Sequence, residues 1–403
     1  MRSINPIRES CGDKKMLIKD ICTSITDGSH NPPQGIASSS YLMLSSKNVF
    51  DDKITLDEPR FLSEEDFAKE NKRTNVKCGD ILLTIVGTVG RAAVVSSDLP
   101  PFTLQRSVAV LHPKEEVCSS RYLMYALRGK RSYIESHSKG VAQKGIYLKE
   151  VAGIDLPVHP KAMQEKITNR LDKLAFIIKC RQQELQKLDD LVRARFVELF
   201  GDMFLNTMSW NEEPLEEMAN VVSGITKGRK LKAQCTTEVP YMAVSNVKDG
   251  YIDWTTVKTI EATEQEINQY RLLPEDVLMT EGGDPDKLGR GAIIKEPLEN
   301  CIHQNHIFRV RLNATVILPE FFAEYLRHQK SKRYFLGCAK QTTGIASINM
   351  RQLKALPVLL PPLELQNQFA DFVKVVDKSK AAVQKALDQA QLLFDSLMQE
   401  YFG

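Results

Sequence analysis

The runs MQEKITNRLDKLAFIIKCRQQELQKLDDLVRARFVELF, from Met163 to Phe200, and LQNQFADFVKVVDKSKAAVQKALDQAQLLFDSLMQEYF, from Leu365 to Phe402, contain neither glycine nor proline. In the first, Ile167, Leu171, Leu174, Ile178, Leu185, Leu188, Val192 and Leu199 fall on steps of three and four, with Arg181 and Arg195 standing in for two members. In the second, Phe369, Val373, Val376, Val383, Leu387, Ala390, Phe394, Leu397 and Tyr401 keep the same rhythm, broken only at Lys380. This is the a/d stripe of a coiled coil, held for about five heptads. At about 1.5 Å per residue each run makes a rod of about 57 Å. Pro157 and Pro160 precede the first run, and Pro357, Pro361 and Pro362 the second. Gly201 and Gly403 follow them, so both carry the punctuation of a helix start and stop. A narrow stripe this long exceeds what one small domain covers, so the two helices are expected to pair with each other, antiparallel.

Outward from these helices the chain repeats itself. Asn48-Val49 returns as Asn246-Val247, Asp80-Ile81-Leu82 as Asp276-Val277-Leu278, and Gly90 to Val95 as Gly289 to Ile294. Gln105 pairs with Gln304, Leu127-Arg128 with Leu326-Arg327, Leu156-Pro157-Val158 with Leu356-Pro357-Val358, and Phe200-Gly201 with Phe402-Gly403. Solenoid units are shorter than these, so each half of the 403 residues is a domain followed by a rod. Within each domain short apolar runs alternate with turns: Ile81 to Val86, a glycine turn, then Ala92 to Val95 reads as strand, turn, strand. Thr315 to Leu326 reads as a short helix. The expected fold class is mixed α/β (α+β): two similar domains, two long helices and an internal pseudo-two-fold repeat. The boundaries are residues 1–158, 159–202, 203–360 and 361–403.

Composition narrows the setting. Hydrophobic residues make up 42% and charged residues 26%, an ordinary globular balance. The eight cysteines are scattered without a C-x-x-C pair, the N-terminal stretch has no apolar signal region, and the most apolar run, Leu356 to Leu363, is broken by prolines. A soluble cytoplasmic protein without a membrane span is expected. The formal charge is +3, with no net charge over residues 211–360, so any DNA binding must use local rather than global positive potential.

No enzyme motif survives inspection. Asn31-Pro32-Pro33-Gln34 resembles the adenine methyltransferase N-P-P-aromatic motif, but Gln34 replaces the stacking aromatic and no methyl-donor glycine turn occurs. Gly140 to Gly145 has P-loop glycine spacing, yet Ile146-Tyr147 stands where lysine and a hydroxyl are needed. Cys301, His303 and His306 make a poor metal set, because on a strand 303 and 306 face opposite sides. Asp284-Pro285-Asp286-Lys287 reads as a solvated loop.

Polar loops recur at matching places instead. Asp27, Ser29, His30 and Asn31 in Ile25 to Asn31 are matched with Lys227, Arg229 and Lys230 in Ile225 to Lys230, which continues to Lys232. Basic glycine loops suit phosphates. Gln105-Arg106 and Gln304-Asn305-His306 offer base-reading side chains, since arginine bridges a guanine edge and amides an adenine edge. Arg91 and Arg290 follow the glycine turns; Lys144, and Lys340, Gln341 and Thr342, lie in polar loops ahead of the long helices. All are candidate DNA contacts.

The chain resembles the specificity subunit of type I restriction-modification enzymes. Thr26 to His30, Gly79 to Leu82, Gly87 to Arg91, Leu104 to Val108, Thr342 to Ile345 and Pro361 to Gln366 carry the likeness over nearly the whole chain. Pro160 to Gln164 departs from it, lacking the second proline and the glutamate. The resemblance implies two target-recognition domains, each reading one half of a bipartite site in double-stranded DNA, with the helix pair setting the spacer. It implies a non-catalytic chain that docks two methyltransferase subunits, which carry S-adenosylmethionine, and restriction/translocation subunits that use ATP and Mg. The alternatives are a coiled-coil interaction scaffold with two ligand-binding domains, or an unrecognised methyltransferase.

Overall fold

The computed structural model describes residues 14–140, 144–229, 235–284, 288–342 and 344–403. The chain divides into two compact units, one formed by residues up to Gln182 together with Lys385–Gly403, the other by Gln183–Gln384.

The first unit is built on a four-stranded antiparallel sheet in the order Cys22–Asp27, Val108–Pro113, Ile81–Thr84, Ala92–Val94. Its strands alternate, as a sheet covered on both faces requires. Ile81, Leu83, Ala109 and Leu111 pack under the helix Ser120–Gly129. Leu82, Ala93, Val108 and Val110 face a second layer with Leu42, Leu44, Phe102 and Leu104. That layer is the three-stranded sheet Arg60–Leu62, Tyr41–Leu44, Phe102–Leu104, antiparallel on one side and parallel on the other. Lys14–Leu17 pairs with Asp155–Val158 ahead of the first long helix.

The second unit repeats the plan. Its four-stranded sheet runs Ala219–Ser223, Ile307–Leu312, Val277–Thr280, Gly291–Ile293, and its mixed sheet Lys258–Ala262, Thr237–Met242, Ile302–His303. Asn211–Pro214 pairs with Pro357–Leu360. The helix expected from Thr315 begins at Pro319 and ends at Arg327. Thr315 is held instead in a turn, where its amide and hydroxyl donate to Asn313 Oδ1, and proline supplies the first helical residue.

Several repeated letters are pegs of this scaffold. Asn48 accepts from Ser45 N and donates to Asp57 O; Asn246 accepts from Ala243 N and donates to Asp253 O, and both side chains are buried. Asp80 Oδ2 accepts from Lys77 N at 2.6 Å and Asp276 Oδ2 from Leu273 N at 2.7 Å, closing the corner before each central strand.

The long helices span Lys161–Phe200 and Leu363–Phe402. Gln164 and Gln366 seat their first turns identically. Gln164 accepts from Ser119 N and donates to Val117 O and His159 O; Gln366 accepts from Leu318 N and donates to Val316 O and Pro361 O. In the first unit Ile167 and Leu171 pack with Phe394, Tyr401 and Phe402, and Arg170 Nη1 donates to Tyr401 Oη at 3.0 Å. In the second, Lys380 Nζ meets Asp189 at 2.6 Å, Arg195 lies over Phe372, and Phe196 packs against Phe369. Partner numbers fall as helix numbers rise, so the pairing is antiparallel. The apolar stripe is wider than the sequence spacing suggests, because Phe196 and Phe200 are also buried, against Phe321. Lys380, which breaks the hydrophobic rhythm, is matched by an acid.

Candidate nucleic-acid interface

The strand Cys22–Asp27 runs straight into a turn that crosses the strand end at Leu104. Gly28 N donates to Val108 O at 3.2 Å, Ser29 N to Leu104 O at 2.8 Å, and Arg106 N returns to Ser29 O at 2.9 Å. A β-carbon on Gly28 would lie 2.1 Å from Leu104 O, so only glycine fits this crossing. Asp27 is buried: its carboxylate takes Arg73 and, at 2.8 Å, His30 Nε2, and Arg73 Nε donates to Asp27 O. Asp27 therefore braces the turn. Ser29 is also buried, whereas His30, Asn31 and Arg106 are exposed and Gln105 is half-buried.

The second unit forms the same crossing in a different sequence register. Ile225 N donates to His303 O at 2.8 Å and Asn305 N to Ile225 O at 3.0 Å, while a β-carbon on Gly224 would lie 2.0 Å from His303 O. Gly224 is thus the counterpart of Gly28. The pairing of Gly28 with Gly228, drawn from the shared Ile-Thr-x-Gly letters, is corrected by four residues. Backbone crowding decides the equivalence: Gly228 sits at φ +79° with open space around it. Lys227 is exposed in that loop; Lys230 and Lys232 lie outside the described residues.

Arg229 is not a free phosphate grip. Its guanidinium holds Glu266 through Nε at 2.5 Å and Nη2 at 2.8 Å, and donates to Glu261 O. The Arg229 hydrogen bonds hold the Glu266 carboxyl down to about 2, and the same pairing pushes the guanidinium up. Beyond this pair, Gln304 and Asn305 are half-buried, and Ser223 Oγ fixes Asn305 O at 2.6 Å. His306 is exposed with Nδ1 2.6 Å from Glu281. His303 points the other way, between the carbonyls of Tyr270 and Val222, and burial pushes it down to about 4. His303 ends the strand Ile302–His303 and His306 lies in the turn that follows it, so the two do not share a strand as the spacing suggested; no cluster of three metal-ligating side chains occurs among the described residues.

The remaining candidates lie beside the glycine turns. Arg91 stacks its guanidinium 5.0 Å from the Phe50 ring centroid, and Lys144 is exposed where its carbonyl accepts from Gly87 N. Arg290 is half-buried, with Nε enclosed and without a hydrogen-bond partner among the described residues. Lys340 is exposed at the start of the strand Lys340–Thr342; the side chains of Gln341 and Thr342 lie outside the described residues.

Arg73, Glu266 and Glu281 shape these surfaces and carry no motif. Each acts across a long sequence separation, so only the folded chain brings it into view. Among the described residues no helix is long and apolar enough to cross a membrane.

The family model of the type I restriction modification DNA specificity domain matches residues 39–189 and 208–391. A putative type I restriction enzyme MjaX specificity subunit of Methanocaldococcus jannaschii is 28% identical over 194 residues, 48% of this chain and 45% of that protein. The EcoKI specificity subunit of Escherichia coli K12 is 24% identical over 282 residues, 67% of this chain and 60% of that one. These alignments therefore span about half of each of those two relatives. The MjaVIII specificity subunit of Methanocaldococcus jannaschii is 24% identical, over 78% of both chains. In fold, the chain is similar to the crystal structure of a type I restriction-modification S subunit from M. genitalium, with TM-score 0.58 and 16% identity, covering 100% of this chain and 99% of that one. A structure described under complex assembly and conformational transition of the type I R-M system gives TM-score 0.55 at 14% identity, with the same coverage. The family match extends over both halves and most of the residues between them: this chain belongs to the type I restriction modification DNA specificity domain family.

Proposed function

We propose that this chain is the non-catalytic DNA-recognition subunit of a type I restriction-modification complex. Each recognition domain reads one half of a bipartite duplex target. The observation that carries this is the repeated crossing at Gly28 and Gly224, which presents His30, Asn31, Gln105 and Arg106 in one domain and Gln304, Asn305 and His306 in the other. The scaffold is shared and the displayed side chains differ, as two readers of different half-sites require.

In this reading the long helices set the spacer and dock two methyltransferase subunits, with restriction/translocation subunits completing the assembly. S-adenosylmethionine, ATP and Mg belong to those partners. A heptad removed from each helix keeps the apolar stripe in phase and shortens both rods by about 10 Å. That is about three base pairs of duplex. The test is selection of bound duplexes, by the methyltransferase complex, from a library with randomised spacer lengths. The expected result is two short conserved tracts, with a shorter preferred spacer or lost specific binding in the double deletion. One contiguous tract, or an unchanged spacer in the deletion, would sink the reading.

A further inference from the structure

In the first domain, backbone hydrogen bonds link the reading turn to a cationic cavity. Ile85 N and Val86 N donate to Ser107 O, next to Gln105-Arg106; Gly87 N donates to Lys144 O, and Val86 bridges to Gly145. Just beyond lies a cavity of about 360 Å³ whose lining includes Gly87, Thr88, Arg91, Arg131, Glu135 and Lys144. Arg131 is fixed there: Nη2 pairs with Asp51, and Nε and Nη2 both lie 3.3 Å from Gly90 O. Among the described residues neither Arg91 nor Lys144 has a carboxylate partner.

We propose that this cavity seats one phosphodiester of the DNA backbone, a contact that positions the first recognition domain without reading sequence. The inference rests on the DNA-recognition reading and adds a ligand class and a place. Arg91, Arg131 and Lys144 line it together with Glu135, and Arg131 is paired with Asp51, so with both carboxylates counted the net charge is +1. The single positive charge left matches a phosphodiester monoanion better than a free phosphate dianion. Arg91 lies over the Phe50 ring, so this cation–π contact helps hold its guanidinium in place before the anion arrives.

The test compares the assembled methyltransferase complex containing wild-type chain, Lys144→Ala, Arg91→Ala and Arg91→Lys, on a cognate and a scrambled duplex across a salt series. Lys144→Ala removes an exposed side chain, and Arg91→Lys retains the charge. The expected result is an equal loss on both duplexes for each alanine variant, about three- to tenfold at moderate salt. Each should also show a log–log salt slope shallower by about one. Arg91→Lys should recover most of both. Millimolar inorganic phosphate should not abolish the difference between wild type and variant; if it does, the seat prefers a free anion and the proposal fails. Unchanged slopes with intact cognate binding would overturn it, as would a loss confined to the cognate duplex, which marks base reading. A wild-type complex that binds neither duplex would overturn the DNA-recognition reading itself.

Discussion

Gly129 and Phe402 occupy one another's van der Waals space: a β-carbon placed on Gly129 would lie 2.5 Å from Phe402 Cβ. The phenyl ring meets Tyr122 edge-on at 5.2 Å, so the end of the second long helix is part of the first unit's core. Gly129→Ala should overpack that contact and destabilise the first unit by about 1–3 kcal/mol. Limited proteolysis should show earlier cleavage within residues 385–403; an unchanged cleavage rate would refute the contact.

Two further glycines separate backbone crowding from letter matching. Gly224→Ala sets a β-carbon against His303 O and should abolish the crossing and specific duplex binding together. Gly228→Ala meets open space and bears only the strain of positive φ, about 1–2 kcal/mol locally. Amide hydrogen exchange at Ile225 and Asn305 distinguishes them, with protection lost in the first variant and retained in the second.

The buried asparagines should behave as a matched pair. Asn48→Ala leaves Ser45 N and Asp57 O without their partner, and Asn246→Ala does the same to Ala243 N and Asp253 O. A loss of about 1–3 kcal/mol is expected from each in chemical denaturation. A neutral result at either position would show that its carbonyl and amide find other partners.

Arg229 should prove to be a brace. In Arg229→Ala the Glu266 carboxyl should climb from about 2 towards its ordinary value near 4.3, followed by NMR titration. The salt slope of duplex binding should stay within error of wild type, since the lost cation was already neutralised. A slope reduced by about one would return Arg229 to the phosphate contacts.

His303 makes stability depend on pH. Its folded value is pushed down to about 4 by burial, below its ordinary 6.5, so the unfolded chain binds more protons between those values. Its contribution is complete above pH 6.5 and is lost as pH falls towards 4, about 3 kcal/mol at most. His303→Gln, whose side-chain amide donates without titrating, should flatten the pH dependence of the urea midpoint of the second unit over that window. Equal pH dependence in wild type and variant would remove His303 from the account.

The features most legible in the sequence are those with local causes. The long helices follow from spacing and from absent glycine and proline, and Asn48, Asn246, Asp80 and Asp276 recur because each closes a turn within a few residues of itself. The surfaces were harder to read. Arg229 looks like a phosphate ligand until Glu266 closes on it across 37 residues, and Asp27 looks like a display residue until Arg73 turns it inward from 46 residues away. The displaced glycine match has the same origin: what requires Gly224 is a carbonyl at His303, far along the chain. Phe196 and Phe200 escaped the heptad stripe because they are buried partly by their domain, against Phe321.

The division of the chain also sets an order of assembly during synthesis. Gln183–Gln384 is one continuous span, whereas the first unit is completed only by Lys385–Gly403. At about 5–20 residues per second, roughly 10–40 s separate the emergence of the first unit's opening segment from that of its closing helix. Throughout that interval Tyr122 and Gly129 face a place that Phe402 has yet to fill. The unit begun first is therefore the unit finished last, its core open until Phe402 emerges to close it.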